Sequence, residues 1–77
     1  MKYIVVCYSV HDMTVASCDM FNTEEDAMLF MLHDAHGVYD EEIEQGNDAE
    51  IEDYGGTMYV SSCEKEYEWT WNICVVR

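Results

Sequence analysis

The start of the chain has the residue pattern of a β-hairpin. Residues 2–10 are rich in β-branched and aromatic side chains, which predicts a strand, and residues 13–20 predict a second strand that returns beside it. His11 and Asp12 fall at the turn between them. Both faces of the first strand are largely apolar, which is typical of a central strand or of one covered on two sides. The turn leaves open the register between the two strands.

A capping signal followed by a helical repeat predicts one α-helix over residues 24–36. Asn22 or Thr23 can accept hydrogen bonds from the free N–H groups of the first turn, and three acids follow at the positive end of the helix dipole. Apolar residues then recur three and four positions apart and form a wide stripe that would face a sheet. Gly37 predicts the end of the helix, although residues 40–44 could add a short further turn.

The C-terminal third predicts three antiparallel strands. Gly55 and Gly56 mark a two-residue hairpin loop, which pairs Tyr54 with Thr57. The strands on either side of this loop continue outward in the same register.

A second turn, centred on Lys65 and Glu66, would place Val60 opposite Trp71. Because side chains alternate along a strand, these counts separate an apolar face from a polar one. The apolar face would hold Ile51, Met58, Val60, Trp69, Trp71, Ile73 and Val75. The polar face would hold Glu50, Glu52, Tyr54, Tyr59, Ser61, Glu68, Thr70 and Asn72.

The element order is therefore ββαβββ. It predicts a single α+β domain over residues 1–77, in which one helix packs on one face of an antiparallel sheet. A length of 77 residues is at the small end for independent folding, so a homodimer that enlarges the core is also considered.

Charge changes this picture more than any motif does. The chain has 17 acidic residues against three basic ones, and its net charge is −14. Residues 40–53 include eight carboxylates, and no base occurs between Lys2 and Lys65. Such a field destabilises the compact state and repels anionic lipid and nucleic acid, so neither is expected as a direct partner. The acids form either a solvated exterior that confers solubility or a surface for a cationic partner.

The targeting and cysteine patterns indicate a cytoplasmic protein. The apolar run at the start lacks the organisation of a secretory signal, and no segment reaches the length of a membrane span. Four cysteines lie at positions 7, 18, 63 and 74, all within predicted strands and none in a CxxC pair. We expect free thiols that are buried or half-buried.

No catalytic motif is present, and neither enzymatic activity nor a metal or cofactor is expected. His33 and His36 have the spacing of two metal ligands on a helix, but no third ligand is fixed by spacing. A calcium loop that starts at Asp40 fails at Gln45, where glycine is needed, and at Ile51, where glutamate is needed. Asp53 falls on the apolar face near the sheet edge. We expect it to be a residue of the strand end rather than a catalytic acid.

The acids have a spacing that suits a basic groove. Residues two apart on a strand lie about 6.6 Å apart on one side, and the pairs Glu50/Glu52 and Glu66/Glu68 are placed in this way. This spacing is similar to that of successive phosphates along a nucleic-acid strand. The candidate binding residues are Asp40, Glu41, Glu42, Glu44, Asp48, Glu50, Glu52, Tyr59, Glu64, Glu66 and Glu68, with Tyr59 as a stacking contact.

In size, charge and carboxylate run, the chain resembles the small acidic DNA-mimic inhibitors of phages, which include anti-restriction and anti-CRISPR proteins. The resemblance implies inhibition of a host defence effector without catalysis. The partner would be a basic nucleic-acid-binding protein or ribonucleoprotein, blocked at a PAM-reading, guide-holding or target-DNA channel. If the chain is phage-encoded, it would act in the cytoplasm of the bacterial host.

Two other interpretations stay open. The chain could be a small interaction or antitoxin-like module whose acidic face neutralises a basic protein partner. It could also be a structural domain that dimerises through the second face of the first hairpin, with its function elsewhere.

Overall fold

The predicted ββαβββ order and α+β class are confirmed. A computed structural model describes all 77 residues as five antiparallel strands and one helix, which packs on one face of the sheet. The strands lie in the order β2-β1-β5-β4-β3, so the first and last strands are neighbours at the centre. The elements are β1 (Lys2–Ser9), β2 (Thr14–Phe21), α1 (Glu24–Glu44), β3 (Ala49–Asp53), β4 (Thr57–Ser62) and β5 (Tyr67–Val76).

The first strand is central, as its two apolar faces predict. It pairs with β2 on one side and β5 on the other. Val5, Cys7 and Ser9 are buried beneath the helix, while the alternate residues are half-buried on the opposite face. A β-bulge opposite Cys7 and Tyr8 sets the register with β2 that the sequence left open.

The glycine hairpin forms in the predicted register. The Tyr54 amide donates to the Thr57 carbonyl at 2.8 Å, and Gly55 has φ +84°, a conformation that glycine adopts without a steric penalty. The Gly55 amide donates to Asp53 Oδ1 at 2.9 Å. Asp53 thus has a local role at the end of the strand.

The predicted register between β4 and β5 is wrong by two residues. Val60 lies opposite Trp69 rather than Trp71, because the turn occupies residues 63–66 and is centred one residue earlier than expected. Cys63, Glu64 and Lys65 all have positive φ there, and no glycine marks such a turn in the sequence. A shift of two residues keeps every side chain on its predicted face.

The helix is eight residues longer than predicted, since it ends at Glu44 rather than at residue 36. Its start is as expected, because Thr23 Oγ1 accepts from the Asp26 amide at 3.1 Å. Gly37 does not end the helix, because Val38 and Tyr39 beyond it pack against the core and offset its conformational cost.

The apolar stripe of the helix is wider than the sheet can cover. Ala27, Met31 and Ala35 are buried, as expected of residues that face the sheet. Met28 and Leu32 belong to the same stripe, but their side chains are 38% and 40% exposed. This exposure corrects the prediction that the whole stripe packs on the sheet.

The core lies between the helix and the centre of the sheet. Trp71 is its largest buried side chain, and its Nε1 donates to Asp34 Oδ2 on the helix at 2.9 Å. The buried apolar residues are Val5, Cys7, Ala27, Met31, Ala35, Met58, Val60 and Trp71.

All four cysteines are free, as predicted, but their environments differ from the prediction. Cys7 is buried and Cys63 is half-buried, whereas Cys18 and Cys74 are exposed. Cys63 lies in the β4–β5 turn rather than in a strand. The one helix of the fold lacks the apolar length that a membrane span requires.

Candidate partner-binding surface

The sheet face opposite the helix, called here the open face, bears an array of carboxylates. Glu50 on β3, Ser61 on β4 and Glu68 on β5 are directly aligned across three neighbouring strands. Strand spacing therefore separates the backbones at Glu50 and Glu68 by about 9–10 Å. Glu52 lies on the same face, two residues along β3, in the row that contains Tyr59. Three predicted carboxylates thus occupy one side of the sheet.

Two tyrosines hold carboxylates of this array. The Tyr59 hydroxyl donates to Glu68 Oε1, and the Tyr54 hydroxyl donates to Glu52 Oε2. Burial raises the pKa of Tyr59 to about 12, with a further contribution from the hydrogen bond and the charge of Glu68. The hydrogen bond to Glu52 likewise raises the pKa of Tyr54. Both phenols are therefore neutral at physiological pH and donate hydrogen bonds to Glu52 and Glu68.

The acids of residues 40–44 lie on the last turns of the continuous helix. Asp40, Glu41 and Glu44 are exposed. No basic residue occurs in the last turn, so these negative charges meet the negative end of the helix dipole without compensation. Glu42 differs, because its Oε1 accepts from Ser62 Oγ at 2.6 Å and from Asn47 Nδ2 at 3.2 Å. Glu42 therefore joins the helix end to the sheet, a structural role that its charge alone does not indicate.

The structure brings three candidate residues together around one cleft. Asp48, Glu50 and Glu64 line a depression of about 590 Å³ beside the β4–β5 turn, together with Lys65. Glu66 lies outside it.

Glu66 lies in the turn and not on β5, so Glu66 and Glu68 do not have the strand spacing that was predicted for them. Glu66 instead lines a second depression with Glu42, Tyr67 and Trp69. The candidate acids therefore surround one end of the molecule as well as the open face.

Almost none of this negative charge is neutralised within the chain. The sole close contact between a basic and an acidic side chain joins His11 Nε2 and Asp12 Oδ2 at 3.3 Å, outside the candidate residues. Lys2 donates to Asn22 rather than to a carboxylate. No group of three or more His, Cys, Asp or Glu side chains is placed to hold a metal ion. The array is therefore a set of unpaired anions on ordered backbone.

The other half of the open face is apolar. Val6 on β1 is half-buried there, while Cys18 and Met20 on the edge strand β2 are exposed. This region is the second face of the first hairpin, on which the homodimer hypothesis depends. The open face is thus divided between an apolar half and an acidic half.

Known proteins provide no template for this surface. No protein-family model matches the sequence, and neither a curated protein nor a solved structure matches the chain. The function is therefore inferred from the positions, partners and exposure of the side chains.

Proposed function

We propose that this protein inhibits a nucleic-acid-binding effector by placing its carboxylates in the basic groove that otherwise holds DNA or RNA. The observation that supports this proposal best is the array of Glu50, Glu52 and Glu68 on the open face. These acids project from paired strands, and none has a cationic partner within the chain.

Order in the array favours binding to a groove over a purely solubilising role. Tyr54 and Tyr59 hold Glu52 and Glu68 through hydrogen bonds, so less side-chain freedom is lost when a partner Lys or Arg is bound. A carboxylate that serves only solubility needs no tyrosine to hold it in place. Prior ordering of the carboxylates lowers the cost of each contact that they make.

The helix end supports the same proposal by a different argument. Glu41 and Glu44 lie in the last turn, where the helix dipole disfavours acids at a cost of about 0.3–1 kcal/mol each, and Asp40 lies just before it. A site that lowers stability is one known form of the trade-off between stability and function. We infer that this end of the molecule forms a second part of the contact, beside the Asp48, Glu50 and Glu64 cleft.

The proposal is tested by charge removal at constant shape. Replacing Glu50, Glu52 and Glu68 with Gln should weaken binding to a purified effector of the restriction or CRISPR type, measured by titration calorimetry. Each rim charge should contribute roughly 0.2–1 kcal/mol, and a carboxylate that is desolvated against a partner Arg roughly 2–5 kcal/mol. The loss should diminish as salt rises, because exposed charges are screened within about 8 Å at physiological ionic strength.

A control variant separates the local surface from overall charge. Asp12, Asp19 and Asp26 lie outside the candidate residues, and replacing all three with Asn changes the net charge by the same amount. The control should bind nearly as well as the native protein. If the variant of Glu50, Glu52 and Glu68 binds with the affinity and salt dependence of the native protein, or if both triple variants weaken binding equally, the open face is not the site.

A further inference from the structure

A mainly apolar groove lies on the helix side of the molecule, away from the open face. Its volume is about 430 Å³, within the range of roughly 300–1,000 Å³ that is typical of ligand-binding clefts. Met28, Leu29 and Leu32 form its helix wall, and the buried side chains of Met31 and Met58 form its floor. We call this feature the methionine groove.

The apolar wall of the groove has no cover within the chain. Leu29 is 59% exposed, and Met28 and Leu32 beside it are more than one-third exposed. These residues recur at helical spacing, so they present one continuous apolar strip. Methionine side chains are flexible and polarisable, which allows them to fit apolar side chains of different shapes.

Carboxylates surround this apolar wall. Glu24 and Glu25 border it at the start of the helix, and Asp53 borders it at the glycine hairpin. None of the three is in an ion pair. Lys65 lies in the turn at the other end of β4, and Lys2 is hydrogen-bonded to Asn22. The rim is therefore anionic and has no cationic side chain paired to it, although Glu24 and Glu25 lie at the positive end of the helix dipole.

Charge restricts what can occupy such a groove. Nucleic acid and anionic lipid would be repelled by the rim and by the net charge of −14. A second copy of this chain would bring the same charge and the same acidic rim. A protein segment with apolar side chains flanked by Lys or Arg matches both the apolar wall and the anionic rim.

We propose that the methionine groove binds a basic amphipathic segment of a partner protein, with its apolar side chains against Leu29 and its cationic side chains at Glu24, Glu25 and Asp53. This is the helix-in-groove mode of recognition, in which spaced apolar anchors enter an apolar groove. The inference shares with the proposed function only the basic character of the partner. It requires neither nucleic-acid mimicry nor the open face.

The methionines provide a direct test in the unmodified protein. Three of the six, Met28, Met31 and Met58, line the groove, while Met1, Met13 and Met20 lie elsewhere. The protein is labelled with methyl-¹³C methionine and titrated, under NMR observation, with a synthetic peptide that has leucines on one helical face and arginines on the other. The groove methyls should shift and the remaining three should not.

Two control peptides separate apolar recognition from simple attraction between charges. One has serine in place of each leucine, and the other has glutamine in place of each arginine. Both should leave the groove methyls nearly unshifted at concentrations that saturate the parent peptide. The proposal is overturned if all six methyls shift alike, if none shifts, or if the serine peptide shifts the groove methyls as strongly as the parent.

Matched variants then locate the contact. Leu29 and Val15 are equally exposed, at 59%, but only Leu29 lines the groove. Leu29→Ala should weaken peptide binding about tenfold, the expected effect of removing a central apolar anchor, and Val15→Ala should not. Equal affinities for these two variants would overturn the assignment of the apolar wall.

The rim has its own matched pair. Glu25 and Asp26 are neighbours in the first helical turn, and only Glu25 lines the groove. Glu25→Gln should weaken binding about twofold to fivefold, and Asp26→Asn should have a smaller effect. Because the variant of Glu50, Glu52 and Glu68 keeps the groove intact, it should bind the peptide normally, whether or not the proposed function is correct.

Discussion

At the residue scale, Trp71 and Asp34 connect the largest buried side chain to the helix. Trp71 is fully buried, and its indole N–H has Asp34 as its hydrogen-bond partner at 2.9 Å. Asp34→Ala should lower the free energy of unfolding by roughly 1–3 kcal/mol, because a buried donor would lose its acceptor. Asp34→Asn keeps an acceptor oxygen and should lose less, as measured by urea denaturation. Equal losses in the two variants would mean that the hydrogen bond is not the cause.

The cysteines permit a second test at this scale. Burial, with a smaller contribution from the charge of Asp34, raises the pKa of Cys7 to about 12. The Cys7 thiol is therefore protonated at pH 8, whereas the reactive form of a cysteine is the thiolate. A thiol reagent should modify Cys18 and Cys74 rapidly in the native protein and Cys7 only after unfolding. Rapid modification of Cys7 under native conditions would contradict this packing.

Single residues also mark the limit of sequence interpretation. The cap at Thr23 was predictable, because its chemistry is local to the helix start. The bonds from Ser62 to Glu42 and from Trp71 to Asp34 were not, since each joins residues that only the tertiary fold brings together. The sequence therefore does not distinguish Glu42 from the exposed acids beside it.

At the element scale, the helix end provides a prediction with a matched control. Gly37 lies inside the helix with open space where a Cβ would be, so Gly37→Ala should stabilise the protein by about 0.5–1 kcal/mol. Gly46 follows the helix with φ +85°, and Gly46→Ala should destabilise it by about 1–2 kcal/mol. Thermal unfolding of both variants checks the opposite signs. A stabilising Gly46→Ala would contradict the observed helix end.

The two glycines also explain why the helix was predicted too short. A glycine after an apolar repeat is an ordinary end signal, and Gly37 precedes Gly46 in the sequence. The packing of Val38 and Tyr39 favours continuation of the helix, and that packing is a tertiary effect. The hairpin at Gly55 was predictable because the whole signal lies within the turn itself.

At the scale of the whole molecule, the two faces of the sheet were more predictable than its register. The β4–β5 register shifted by two residues, yet Trp69 and Trp71 stayed on the helix face, because strand alternation has a period of two. The separation of an acidic open face from an apolar core therefore followed from the sequence. The methionine groove did not, since it depends on how much of the helix stripe the sheet leaves uncovered.

The negative charge is spread over several parts of the molecule. The candidate acids lie on the open face, at the helix end and around the β4–β5 turn, with no internal cation paired to them. Such a surface should steer association with a basic partner and make it fast at low salt.

The most direct test of the central claim is competition for the effector's groove. A fluorescently labelled duplex is bound to a purified basic nucleic-acid-binding effector, and its anisotropy is followed as this protein is added. The account predicts that the duplex is released as the protein binds, and that raising the duplex concentration reverses the effect. If the protein binds the effector while the duplex stays bound, or if no such effector releases its duplex, the carboxylate array does not act as a nucleic-acid mimic.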